Sequence, residues 1–133
     1  MIKLNTFSDN RGSLTVVETS KELPFTVKRA YWIYNVPQMM QRGKHANRIT
    51  YQFLVAIKGS VEIFLENKDG KTNVLLNSPD KGLLIPPLTW NELLYLSSDA
   101  VLLVLSSEHY QPENYINSHE DFIKILKEEI CCK

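Results

Sequence analysis

His45 is the side chain in this sequence with the best setting for chemistry. It stands in "QRGKHANRIT", residues 41–50, a polar connection between two runs that read as β-strands. Arg42 and Gly43 precede it and Arg48 follows, so an anion can sit beside the ring. Gly43 lets the backbone approach a ligand closely. An imidazole, with an ordinary pKa of about 6.5, readily takes a proton near neutral pH. The plain alternative is a solvent-exposed loop histidine, and the flanking arginines and glycine weigh against it. A metal would need three or four His, Cys or carboxylate ligands. Residues 45 and 47 have the spacing of an H-x-H ligand pair, but residue 47 is Asn, and Gln52 stands where a carboxylate would help. The remaining histidines, His109 and His119, lie in the C-terminal segment. These residues predict no bound metal, and either acid–base chemistry or plain binding.

"KRAYWIY" (28–34) is the second cluster. Strand alternation puts Arg29, Tyr31 and Ile33 on one face and Lys28, Ala30, Trp32 and Tyr34 on the other. A phenol beside a guanidinium can relay a proton and clamp a phosphate; the bland reading is an aromatic core strand with charged ends. "DNRGS" (9–13) repeats the Arg-Gly pairing at Arg11 on a turn, and "LTWNE" (88–92) sets Trp90 two residues before Glu92, as core or as an apolar wall. "SEHYQPENYI" (107–116) reads as a surface run leading into a helix, and Tyr110 in it carries no usable spacing. There is no glycine-rich phosphate loop, no G-x-S-x-G and no cysteine placed as a nucleophile.

About eight short strands position these groups. They run over 13–18, 25–36, 49–57, 61–66, 72–77, 83–86, 92–96 and 100–106, with turn signals at Lys58-Gly59, Asp69-Gly70 and 78–82. That spacing predicts a sandwich or barrel. The C-terminus reads as a helix: Ser118 caps it, Asp121 closes the capping box, Glu120 pairs with Lys124, and Phe122, Ile125, Leu126 and Ile130 form an apolar stripe. The 133 residues suit one domain, 1–133. Fifteen basic residues balance 15 acidic ones, which argues against nucleic acid or an anionic membrane as the main partner. "MIKLNTFSDNRG" turns polar too early for a secretory leader, and no apolar run approaches a membrane span. Cys131 and Cys132 are adjacent, with no further cysteine to form a framework, and read as incidental in a reducing cytoplasm.

Taken in order, "DNRGSL" (9–14), "PFTVKRAYW" (24–32), "RGKHAN" (42–47), Gln52, Gly59-Ser60, "PPLTWNEL" (86–93), "SSDAVLLVLSSEHY" (97–110) and "YI" (115–116) resemble the nucleotide-sugar 3,4-ketoisomerases of the cupin superfamily. The resemblance spans nearly the whole chain. It implies an all-β cupin double-stranded β-helix with a short C-terminal helix, and a homodimer. It implies a metal-free reaction without cofactor, in which the carbonyl of dTDP-4-keto-6-deoxyglucose moves from C4 to C3 and prepares the sugar for amination in the biosynthesis of 3-amino-3,6-dideoxy sugars. By the same resemblance His45 is the base and Tyr31 a proton donor near O3 and O4. Arg11, Arg29 and Arg42 lie near the substrate, and Gln52, Trp90 and Glu92 line the site. Family members usually carry a second histidine where this chain has Asn47, which leaves the residue as a sugar contact or as a lost proton shuttle. Members give galacto or gluco products, and no residue here picks between them. Two other readings stay open: a cupin that binds a nucleotide-sugar without turnover, and a deoxysugar 3,5-epimerase.

Overall fold

The computed structural model describes residues 1–131, with side chains through residue 129. Numbered in chain order, its strands form two five-stranded antiparallel sheets. The first runs β1 (Ile2–Lys3), β9 (Lys81–Ile85), β6 (Gln52–Lys58), β11 (Val101–Ser106), β4 (Arg29–Ile33). The second runs β12 (Tyr115–Ile116), β5 (Gln41–Asn47), β10 (Trp90–Tyr95), β7 (Val61–Asn67), β8 (Gly70–Leu76). A separate two-stranded ribbon pairs β2 (Asn5–Asp9) with β3 (Gly12–Val16). One helix, α1 (His119–Cys131), follows β12. This is an all-β barrel with a C-terminal α-helix, as expected. Among the described residues no helix is long and apolar enough to cross a membrane. The expectation for Cys131 and Cys132 lies outside the described side chains.

The sheets face each other across a core of alternating residues. Leu54, Ala56, Val61, Ile63, Leu93, Tyr95, Leu102 and Val104 form one buried cluster between them. Strand β6 is buried on both faces, because Phe53 and Val55 pack outward against Leu4, Leu23 and Phe25. That explains why "QFLVA" is apolar almost without alternation. A third cluster joins Ala46 of β5, Trp90 of β10, Ile116 of β12 and Phe122 of α1. It fastens the helix to the back of the second sheet.

Several boundaries differ from the sequence expectation. The connection 41–50 is mostly strand β5, a seven-residue strand held between β10 and β12. The expected strand 25–36 shrinks to Arg29–Ile33. The helix begins as expected, with Ser118 Oγ accepting from the amide of Asp121 at 3.2 Å. Among the described residues no Glu120–Lys124 ion pair forms.

Candidate functional site

A cavity of about 350 Å³ opens between the sheets at one end of the barrel, a volume suited to a small ligand. Strand β4 supplies Arg29, Tyr31 and Ile33, the face that alternation selected, while Trp32 points outward and is 61% exposed. Strand β6 supplies Gln52 and Leu54, and β11 supplies Val104. From the opposite sheet come Arg42, Gly43 and His45 of β5, with Asn91 and Leu93 of β10. The segment after β11 closes one side with Tyr110, Pro112, Tyr115 and Asn117.

Arg42 and His45 are three residues apart, and in a regular strand they would face opposite ways. A β-bulge brings them together. On β10, Asn91 pairs with His45 and the next residue, Glu92, pairs with Gly43, so Lys44 is left over. Gly43 (φ +86°) and Lys44 (φ +65°) both take left-handed backbone conformations, which re-aims the strand. A Cβ on Gly43 would stand 3.3 Å from the carbonyl oxygen of Asn91 and 3.4 Å from its side-chain oxygen. Glycine is needed here for the backbone angle and for this close approach.

The site's charge is one-sided. Arg29, Arg42 and His45 line it, and no carboxylate does. Neither arginine has an ion pair among the described residues. Arg29 instead lies over the ring of Tyr31 at 4.3 Å and over that of Tyr110 at 5.1 Å, so its charge is held by two π-faces. Burial lowers the pKa of His45 below its ordinary 6.5, with a smaller opposing effect from the Gly43 carbonyl. The ring is therefore neutral at neutral pH and can accept a proton. Burial raises the pKa of Tyr31, and Tyr115 adds to the rise while Arg29, Gln52 and Arg42 oppose it. Gln52 Nε2 donates to the Tyr31 phenol oxygen at 3.2 Å. That leaves the phenol proton free to point into the cavity. Tyr95, next on the inward face after Leu93, is fully buried and pushed to about 12, chiefly by burial.

Five of the residues singled out from sequence thus meet in one cavity: Arg29, Tyr31, Arg42, His45 and Gln52. Four do not. Arg11 sits at the tip of the β2–β3 ribbon, bound to Asp9 at 2.6 Å, and lines a different hollow. Trp90 is 3% exposed and packs on Phe122 and His119 behind the sheet, so the core alternative holds rather than the apolar wall. Glu92 accepts the Trp90 indole N–H at 2.9 Å and belongs to the outer face of β10. Asn47 is buried at the end of β5, paired with Tyr115 and with its carbonyl accepting from the amide of Leu88 at 2.8 Å; it does not line the cavity. Conversely, Tyr110, Pro112 and Tyr115 belong to the cavity although the run 107–116 reads as surface, and Asn91 and Asn117 join them. Among the described residues no three His, Cys, Asp or Glu side chains come together as a metal site would need.

Comparison with known proteins gives the family. The family model described as "FdtA: WxcM-like, C-terminal" matches residues 1–127. A TDP-4-oxo-6-deoxy-alpha-D-glucose-3,4-oxoisomerase from Aneurinibacillus thermoaerophilus is 35% identical over 126 residues, which is 95% of this chain and 91% of that protein. The solved structure of QdtA, a sugar 3,4-ketoisomerase from Thermoanaerobacterium thermosaccharolyticum in complex with TDP, is 37% identical with a TM-score of 0.92, covering 96% of this chain and 93% of that one. That of WlaRB, a TDP-quinovose 3,4-ketoisomerase from Campylobacter jejuni, is 38% identical with a TM-score of 0.87, covering 92% and 94%. A match over nearly the full length, in sequence and in fold, settles the family: this chain is a member of the FdtA, WxcM-like C-terminal family of cupin sugar ketoisomerases.

Proposed function

We propose that this chain is a dTDP-4-keto-6-deoxyglucose 3,4-ketoisomerase. One observation carries the reading: a half-buried histidine and a half-buried tyrosine share a cavity with two arginines that have no acidic partner there. A neutral base and a neutral acid are what carbonyl migration needs, and unpaired guanidiniums suit the diphosphate of a nucleotide-sugar. Anchoring the diphosphate supplies binding energy away from the reacting carbons.

The reaction balances as an isomerisation. His45 takes the proton from C3, the C3–H electrons form a C3=C4 double bond, and O4 gains a proton from the Tyr31 side. The resulting enediol then returns its O3 proton to the Tyr31 phenolate, C3 becomes the carbonyl, and C4 takes a proton. His45, which holds the proton taken from C3, returns it at C4. In this reading Asn47 takes no part in the second transfer. Trp90 and Glu92 act from behind, holding the sheet that carries His45.

The chain works as a homodimer in the cytoplasm, in the making of a 3-amino-3,6-dideoxy sugar. What supports the dimer is the β2–β3 ribbon, which has no ladder to either sheet and exposes the facing pair Phe7 (66%) and Leu14 (58%). A two-stranded ribbon alone is marginal in water. Arg11, at its tip, would touch a substrate only in such an assembly. His45→Asn tests the enzyme against a non-catalytic binding module. The variant is expected to bind dTDP within about threefold of wild type by calorimetry and to lose turnover by at least about a thousandfold, in line with removal of a general base plus its positioning. Equal turnover in the two proteins would remove His45 from the reaction.

A further inference from the structure

The wall of the cavity after β11 is unusually well tied down for a loop. Asn114 is buried, and its side-chain oxygen accepts the amides of Arg48 at 3.0 Å and Ile49 at 2.9 Å. Its side-chain nitrogen donates to the hydroxyl of Thr50. The Arg48 amide also reaches the Asn114 carbonyl at 2.9 Å. Asn114 thereby satisfies the turn that leaves β5. Its neighbours Tyr115 and Ile116 then pair with Asn47 and Ala46, and Ile116 is pinned from behind by Phe122 of α1. The outcome of all these contacts is one side chain: the Tyr115 ring stands perpendicular to the His45 ring, at 88° and 5.0 Å between centroids.

We infer that Tyr115, clamped by Asn114, is a positioning residue for His45: its ring fixes the orientation of the imidazole and covers it from water. The chemical role of His45 rests on the reaction proposed above, but the contact itself does not. A perpendicular aromatic pair has a preferred geometry and restricts rotation of both rings. In this reading the Tyr115 ring, in contact with the imidazole, adds to the burial that lowers the His45 pKa. The other charged or titratable groups facing the same cavity are Arg29, Arg42, Tyr31 and Tyr110, none of them acidic in the carboxylate sense. Loss of the Tyr115 ring would therefore act on His45 mainly through hydration.

The test compares Tyr115→Phe, which keeps the ring, with Tyr115→Leu, which keeps apolar volume without it. His45 is titrated by NMR of imidazole-labelled protein without substrate, with His45→Asn to assign its signal, and kcat and KM are measured beside it. The wild type and Tyr115→Phe are expected to titrate together, below 6.5, with kcat within about threefold. Tyr115→Leu is expected to titrate higher, toward 6.5, with kcat down at least about tenfold and KM within about threefold. Asn114→Ser, which frees the wall without touching the ring, should shift both readouts in the same direction and serves if Tyr115→Leu does not fold. Unchanged titration and unchanged kcat in the ring-less or unclamped variant would overturn the inference. So would loss of kcat in Tyr115→Phe with the His45 titration unmoved, since the hydroxyl would then be acting on substrate. A shifted titration in a protein that turns over no keto sugar would support the contact and sink the reaction proposed above.

Discussion

At the scale of the residue, His45 and Tyr31 are tuned in opposite directions by the same cause, burial. For a base, a lowered pKa means that the neutral form persists to lower pH. The acid limb of kcat/KM is therefore expected to have its midpoint below 6.5, and a pH–rate profile reads it directly. A midpoint above 6.5 would assign the limb to some other group. Part of this was legible in the sequence. Alternation along 28–34 placed Arg29, Tyr31 and Ile33 on the cavity face, because a strand's period is fixed by its pleat. The family resemblance puts Trp90 and Glu92 in the site lining, whereas in the structure they share a hydrogen bond behind the sheet. A residue two positions along a strand shares a face with its neighbour, but sequence does not say which face. Here α1 covers one of them, and Phe122 decides that Trp90 belongs under it.

At the scale of the element, the bulge in β5 does what its residue types conceal. The run 41–47 looks like a connection because it is polar and contains glycine, yet the ladders to β10 and β12 make it a strand. Neighbouring strands override its weak propensity. Gly43→Ala must be forced into a positive φ against the Asn91 carbonyl. It is expected to cost about 1–3 kcal/mol of stability, as strained backbone does, and to lower kcat by about tenfold or more, since Arg42 and His45 would no longer share a face. Denaturant unfolding and steady-state kinetics check the two numbers. Wild-type stability in this variant would show that the bulge tolerates a side chain. Phe122 is fully buried where α1 meets β10 and β12. Phe122→Ala is expected to cost about 3–5 kcal/mol, measured the same way, and the C-terminal stripe was legible from its helical spacing. The wall at 110–117 was not, because its order comes from Asn114 contacts with residues 48–50. Those partners are more than 60 positions away in the chain, beyond any local pattern.

At the scale of the whole molecule, two sheets hold the cavity and a ribbon stands apart from both. The ribbon's apolar pair, Phe7 and Leu14, faces solvent in the single chain. The proposed dimer is expected to be lost in the double variant Phe7→Ser, Leu14→Ser, read by sedimentation, while the barrel melts as before. A dimer that survives both substitutions would place the interface elsewhere. The barrel itself was legible, because short strands at regular spacing with turn signals between them permit few other folds. The ribbon was only half legible: the Arg11 turn was visible, but Asn5–Asp9 is polar and lacks the apolar alternation that marks a strand.

The central claim is that His45 moves a proton from C3 to C4 of a 4-keto sugar in this cavity. The most direct measurement incubates the protein with dTDP-4-keto-6-deoxyglucose in deuterated water and follows the sugar by proton NMR. A new 3-keto signal, with the C3 proton gone and hydrogen at C4 drawn partly from the substrate's own C3 proton, is the expected result. Exchange at C3 and C5 with the ketone still at C4 would make the chain an epimerase. Tight nucleotide binding with no exchange at all would make it a binding protein, and either result would contradict the claim.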